Sequence, residues 1–299
     1  MEEKAVKPFF KWAGGKCQLL NEIKQYYPLL DTHITKYIEH FVGGGAVLFD
    51  ILNNFNIIKD IYINDINEEL INAYRVIKEN VNELIDILKL YQSEYTPLNT
   101  EKRKFYYTEK RKRFNELKIK KNKKENIEKA ALMIFLNKTC FNGLYRVNKS
   151  GYFNVPMGSY KNPLICDENN LRAVSRKLQK VTIMCGDYKK LINLIDENTF
   201  VYFDPPYKPL TNTANFTSYT ENSFDDKKQI ELSNFINEIH KKGAKILLSN
   251  SDPKNSNPKD NFFDILYSDY KIKRVDATRM INCSGKSRGK IKELLISNF

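Results

Sequence analysis

Apolar positions along the chain follow two alternating rhythms. Short, nearly continuous runs read as buried strands: KYIEHFVGGG (36–45), IIKDIYINDIN (57–67), VTIMCGDY (181–188), FVYFDPPY (200–207), GAKILLSN (243–250) and KELLISNF (292–299). Between them, AVLFDILNNF (46–55), a periodic stretch from about Glu68 to Tyr91, and DDKKQIELSNFINEIHKK (225–242) have helical spacing. Strands alternating with helices predict an α/β fold whose sheet is largely parallel and covered by helices on both faces.

Residues 76–165 break this alternation. They comprise long polar helices, an apolar helix IEKAALMIFLNKT (127–139) and a turn-rich segment CFNGLYRVNKSGYFNVPMGSYKNP (140–163). Asn-Gly, Ser-Gly and aromatics near short β-prone runs in that last segment predict a β-hairpin or loop that presents side chains. The domain reading is therefore one core split between residues 1–75 and 166–299, with 76–165 inserted as a mostly helical subdomain.

Composition narrows the function classes. The 299 residues are 41% apolar, enough to bury a large core without staples. Cys17, Cys140, Cys166, Cys185 and Cys283 form no CxxC pair, and the three histidines make no ligand-spaced cluster with them, which argues against a zinc site or a disulfide framework. The start MEEKAVKPFF lacks the order of a secretory signal, and no apolar run nears the roughly 20 residues that span a bilayer, so the expected location is cytoplasmic. Lys plus Arg exceed Asp plus Glu by 49 to 36, a net +13 that suits a polyanionic partner but also fits a lysine-rich composition bias. Twelve Lys/Arg against three Glu fall within residues 101–124 alone, interleaved with Phe105, Tyr106, Tyr107 and Phe114. A solvated helix face and a docking surface for a nucleic-acid backbone both fit that run.

Candidate chemistry sits at strand ends. FVGGGA (41–46) follows a strand and opens a helix, the context in which glycines let a ligand approach backbone N–H groups; a plain tight turn fits as well. The GxGxxG fingerprint fails, because its sixth position is Leu48. Asp65, twenty-two residues beyond Gly43 and at the end of the next strand, is placed to accept hydrogen bonds from ribose hydroxyls. KWAGGK (11–16) is not a phosphate loop, since Phe10 and Cys17 stand where GxxxxGK[ST] needs Gly and Ser or Thr.

The run FVYFDPPY ends in an acid, two prolines and an aromatic. Asp204 could cap a helix, but the prolines after it fix where its carboxylate and the Pro205 carbonyl point. Two acceptors beside the flat face of Tyr207 suit a planar ligand with an amino group, such as adenine. Accepting both N–H bonds would free the nitrogen lone pair for attack on a methyl group and stabilise the positive charge that develops. None of the five cysteines follows a proline, so the thiolate route to carbon methylation is disfavoured.

KWAGGK, FVGGGAVLFD (41–50), INDIN (63–67), CFNGLYRVN with FNVPMGSYKNP, GDY (186–188) and DPPY (204–207) together resemble the Dam-like, alpha-class D12-type DNA adenine-N6 methyltransferases, especially the branch that methylates GATC. The resemblance implies a Rossmann-like methyltransferase sheet and a DNA-recognition role for the insert. It implies S-adenosyl-L-methionine as cofactor, contacted by Trp12, Ala13, Gly14, Lys16, Phe41, Gly43, Gly44, Gly45, Asp65, Asp187 and Asp204. Asp187 could equally be a strand-end cap. Asp204, Pro205, Pro206 and Tyr207 would be catalytic. Lys11, Phe141, Asn142, Leu144, Arg146, Asn154, Pro156 and Tyr160 would meet DNA, Arg146 on a guanine edge and Leu144 and Pro156 on a thymine methyl. Phe141 and Asn142 stand where the family probes the gap left by a flipped base. NFTSYT (215–220) resembles a loop closing on that base, and SGKSRGK (284–290) could touch phosphate; ordinary surface turns fit both.

The expected function is methyl transfer to adenine N6 in double-stranded DNA, within GATC, by base flipping. The alternatives are the same chemistry on another DNA sequence or structured RNA, and a catalytically silent DNA-binding module. A monomer or weak dimer without metal or membrane is expected, with a restriction endonuclease as a possible companion.

Overall fold

A computed structural model describes residues 5–12, 14–28, 33–120, 125–207, 224–278 and 290–299. The strands are β1 (Lys36–Glu39), β2 (Asp60–Asp65), β3 (Val181–Cys185), β4 (Thr199–Phe203), β5 (Lys245–Ser251), β6 (Lys271–Thr278) and β7 (Lys290–Ser297). They form one seven-stranded sheet in the order β3-β2-β1-β4-β5-β7-β6, with helices on both faces. β1 pairs in parallel with β2 and β4, and β4 with β5.

The expectation of a largely parallel sheet holds for that half only. β7, which contains KELLIS (292–297), runs antiparallel to β5 and to β6. β6 escaped the sequence reading because KIKRVDAT alternates charged with apolar residues, as suits a strand at the edge of the sheet. The periodic stretch from Glu68 is also two helices rather than one: α3 (Glu68–Glu79) stops at Asn80, whose backbone leaves the helical region at φ −134° and ψ 41°. Asparagine does this readily because its amide competes for backbone hydrogen bonds.

The remaining helices are α1 (Leu20–Lys24), α2 (Ala46–Asn54), α4 (Val81–Tyr95), α5 (Thr100–Lys120), α6 (Asn126–Thr139), α7 (Glu168–Leu178), α8 (Asp226–Lys241) and α9 (Phe262–Leu266). Among the described residues no helix is long and apolar enough to cross a membrane. The chain folds as two compact units, one of residues 16–42, 55–63 and 187–299, the other of 1–15, 43–54 and 64–186. We call them the sheet unit and the helical unit; β2 begins in the first and ends in the second.

In the sheet unit, every residue of β4 is buried, which explains the apolar run FVYF (200–203) between two parallel neighbours. α8 starts where the Asp225 carboxylate accepts the Lys228 N–H at 3.0 Å, and it lays Leu232, Phe235, Ile236 and Ile239 into the core. The helical unit is built around α6, whose residues 130–137 are all buried; Tyr91 and Tyr95 of α4 and Tyr106 of α5 pack edge-on about Phe135.

His40, just past β1, is fully buried, stacked on Phe203 with ring centroids 4.8 Å apart and edge-on to Phe235. Burial pushes its pKa down to about 3. Below about pH 6.5 the unfolded chain therefore takes up a proton that the folded chain refuses, and stability contributed by this site falls as pH drops toward 3. Relative to His40→Phe, the wild-type unfolding free energy should fall by about 1.4 kcal/mol per pH unit between about pH 6 and pH 4, read by urea unfolding. Parallel pH profiles would show that the folded protein accommodates the proton.

Candidate active site

In the helical unit, the glycine loop after β1 is latched to the end of β2. Asp65 accepts the Gly43 N–H at 3.1 Å through one carboxylate oxygen and the Asn67 N–H at 2.9 Å through the other. Asn67 in turn caps α3 by accepting the Leu70 N–H at 2.9 Å. Burial pushes the Asp65 carboxyl above the usual range, and these backbone N–H groups oppose the shift. An ionised carboxylate offers about four lone-pair sites, more than its backbone N–H partners use, so the latch leaves acceptor capacity for a ligand hydroxyl. Gly43, at φ +47°, lies so close to the Trp12 indole that a Cβ there would fall 2.9 Å from it. The loop thus packs on Trp12, and Trp12 stacks on Tyr145 at 5.7 Å.

In the sheet unit, β4 delivers Asp204 from a fully buried strand. Its carboxylate lies 2.6 Å from the Lys16 ammonium, which is only 4% exposed against 20% for Asp204. Ser249, on β5, donates to the same oxygen at 3.1 Å and shares a 3.0 Å bond with the Tyr202 hydroxyl. Burial raises the Asp204 carboxyl, while Lys16 and Ser249 work to keep it ionised. The Lys16 ammonium also sits over the Tyr207 ring, 4.6 Å from its centroid. Pro206 is fixed through its carbonyl, which accepts from Gln229 at 3.1 Å, and Gln229 is held by Asn250. The segment that follows β4 therefore holds a positively charged nitrogen between a carboxylate and an aromatic face.

Other expected cofactor residues have plain structural surroundings. Gly14 is an exposed turn residue at φ +77°. Phe41 packs against Tyr188 and Phe224 in the sheet unit. Asp187 accepts the Lys189 N–H at 2.9 Å and so caps the turn that follows β3. Ala13, residues 215–220 and residues 284–289 lie outside the described residues. Among those described, no group of three or more His, Cys, Asp or Glu could hold a metal ion.

The residues expected to meet DNA all fall in the helical unit, on or beside one hairpin. Antiparallel bridges at Cys140–Met157 and Val147–Phe153 form it, and Asn148 closes its tip by accepting the Ser150 and Tyr152 N–H groups. Arg146 is exposed, and its Nε donates to Asn154 Oδ1 at 2.8 Å. Phe141 and Asn142 are exposed, Asn142 in the left-handed region at φ 54°, and the Phe141 N–H donates to the Pro156 carbonyl. Lys11 joins them, with its ammonium 4.1 Å from the Tyr160 ring centroid and its backbone clasped on both sides by the Asn137 amide. Gly143 permits this approach, since a Cβ there would meet Lys11 at 2.5 Å.

Residues 101–120 of the basic run lie in α5, whose side chains hold the hairpin; residues 121–124 lie outside the described residues. Tyr107, Phe114 and Leu117 are buried, leaving only Phe105 of the four interleaved aromatics largely exposed. The Tyr107 hydroxyl and Arg111 donate to the Val155 carbonyl, and Arg103 donates to the carbonyls of Tyr160 and Lys161. Asn115 both accepts from and donates to the Phe153 backbone, at 2.7 and 3.1 Å, as a strand neighbour would. Arg113 is taken up by Glu125 and Glu128, and Lys118 by Glu69 and Tyr145.

Sequence reading missed Ser249, Gln229, Asn115, Asn137 and Glu293. Ser249, a polar residue closing the apolar run ILL (246–248), carries the same signal that exposed Asp204. The amides on α5 and α6 leave no pattern, because their partners are distant backbone groups.

A sheet wound in this order, with its parallel strands ending in a glycine loop and acids, is of the Rossmann-like methyltransferase class. Residues 12–281 match the family of D12 class N6 adenine-specific DNA methyltransferases, and the chain belongs to that family. It is an adenine-specific DNA methyltransferase. It is 50% identical to the type II methyltransferase M.MjaIII of Methanocaldococcus jannaschii, over 98% of this chain and 99% of that protein. It is 38% identical to the type II methyltransferase M1.LlaDCHI of Lactococcus lactis subsp. cremoris, over 98% and 96%. It is 36% identical to the DNA adenine methylase of Haemophilus influenzae, over 97% and 92%.

If α5 templates the hairpin, Asn115→Ala leaves two backbone groups of Phe153 without partners and should cost about 2–4 kcal/mol locally. Hydrogen exchange should rise across residues 146–158 while β4 and β5 stay protected. Unchanged exchange in the hairpin would mean that Asn115 contributes nothing to its order.

Proposed function

We propose that this enzyme transfers a methyl group from S-adenosylmethionine to N6 of an adenine flipped out of double-stranded DNA, within the sequence GATC. The observation that carries the reading is the seat of the Lys16 ammonium. It occupies two contacts that a flipped adenine would make, the hydrogen bond of its amine to Asp204 and the stacking of its ring on Tyr207. A site that binds an ammonium is suited to the cationic nitrogen that methyl transfer creates.

The fit of the cofactor rests on the donor set of the helical unit. Asp65 has lone pairs free for ribose hydroxyls beyond its backbone latch, and a glycine loop opening a helix is the context in which a ligand carboxylate can approach backbone N–H groups. When bound, S-adenosylmethionine supplies an electrophilic methyl group. The chain supplies the rest. Asp204 and the Pro205 carbonyl accept the two N6 hydrogens and draw the nitrogen toward tetrahedral geometry. Tyr207 stacks on the base and orients it for in-line attack. Lys16 must yield its place on Asp204 when the amine arrives. Ser249 stays bonded to the carboxylate and keeps it aimed.

Extruding the base costs a few kcal/mol, which stacking on Tyr207 partly offsets. Phe141 and Asn142, exposed beside the hairpin, would fill the gap in the duplex. Arg146, held in plane by Asn154, would present its remaining N–H groups to a guanine edge, with Leu144 and Pro156 near a thymine methyl.

Unmethylated plasmid incubated with enzyme and S-adenosylmethionine should become resistant to a nuclease blocked by GATC methylation, and sequencing of the product should place every modified adenine in GATC. Modified adenines in another sequence would refute the specificity and leave the chemistry standing. Arg146→Ala should relax discrimination at one base pair by about 1–3 kcal/mol, seen as methylation of near-cognate sites. An unchanged site preference would remove Arg146 from base reading.

A further inference from the structure

Tyr207 lies past the end of β4, on a turn rather than a strand, yet its ring has to present a fixed plane to the incoming base. The Tyr207 hydroxyl donates to Glu293 Oε2 at 2.6 Å, a length typical of a strong bond to a carboxyl group. Glu293 is well placed to anchor it. It sits on β7 with strands on both sides, registered to Ser251 of β5 and Val275 of β6, so its backbone is held by the sheet itself. Its side chain is partly buried, and among the polar residues of KELLIS it is the one that reaches the Asp-Pro-Pro-Tyr turn. Lys16 covers the face of the same ring and binds Asp204, so ring, acid and cation form one connected cluster.

We propose that Glu293 is a positioning residue for methyl transfer: by holding the Tyr207 hydroxyl it fixes the plane against which the target adenine stacks. The role rests on the reading of Tyr207 as the stacking platform. It requires no proton transfer and no contact between Glu293 and DNA. Without this anchor the ring can turn about its side-chain bonds, and the amine loses its alignment with the methyl donor. A misplacement of about 1 Å at a reacting centre can cost about a hundredfold in rate.

The test is a set of four variants, Glu293→Leu, Glu293→Gln, Tyr207→Phe and the Leu/Phe double variant, assayed with saturating duplex. Glu293→Leu should lower kcat about ten- to a hundredfold, with cofactor Kd and Tm close to wild type. Glu293→Gln keeps an acceptor for the phenol and should restore kcat to within about threefold. Because the hydroxyl acts through Glu293, adding Glu293→Leu to Tyr207→Phe should cost little more. Three outcomes would overturn the role: full kcat in Glu293→Leu, equal damage from Gln and Leu, or a Leu penalty undiminished in the Phe background. Failure of the stacking reading shows separately, as full kcat in Tyr207→Ala, and would remove the role of Glu293 with it.

Discussion

A carboxylate at the end of a fully buried strand has to be compensated, and much of the sheet unit is arranged around that requirement. Moving an ionised acid out of water costs several kcal/mol unless charge and hydrogen bonds replace the lost solvent. Asp204 receives both, an ammonium from Lys16 and a hydroxyl from Ser249. The partners come from different parts of the chain: the parallel pairing of β4 with β5 brings Ser249 to the carboxylate, and the turn after KWAGG brings Lys16. Under the proposed function, the same compensation would select what replaces Lys16: a nitrogen that brings N–H donors and gains positive charge as it reacts.

The helical unit meets a parallel demand with backbone groups. A glycine loop and a hairpin both carry N–H and C=O groups that no helix or strand satisfies, and buried ones must find partners. Asp65 takes the loop, Asn137 takes the Lys11 backbone and Asn115 takes Phe153. Each uses a short, planar side chain with limited freedom to lose. The lysine-rich helix α5 consequently serves the hairpin first; its arginines end on carbonyls and glutamates.

The parts of this arrangement that lie on one strand end were legible in the sequence. FVYFDPPY declared itself because a polar group closing an apolar run has few structural excuses, and the spacing from Gly43 to Asp65 matched one strand–helix–strand step. Helix α8 and the strands β3, β4 and β5 were visible from periodicity. What stayed hidden depends on tertiary pairing. β6 has the alternation of an edge strand, the antiparallel return of β7 needs knowledge of its neighbours, and Glu293 gains meaning only when its strand delivers it to Tyr207. The charge of residues 101–124 was equally open, since a count of lysines does not tell which of them already have partners.

The central claim is that the charge on Asp204 holds and activates an exocyclic amine. Isotopically labelled S-adenosylmethionine and duplex DNA, followed by digestion to nucleosides and mass spectrometry, test it in wild type and in Asp204→Asn, which keeps the shape of the side chain and removes its charge. The label should appear only in N6-methyladenine, and its single-turnover rate should fall at least about a hundredfold in Asp204→Asn while cofactor and DNA affinities persist. Label in 5-methylcytosine, or a near wild-type rate in Asp204→Asn, would contradict it.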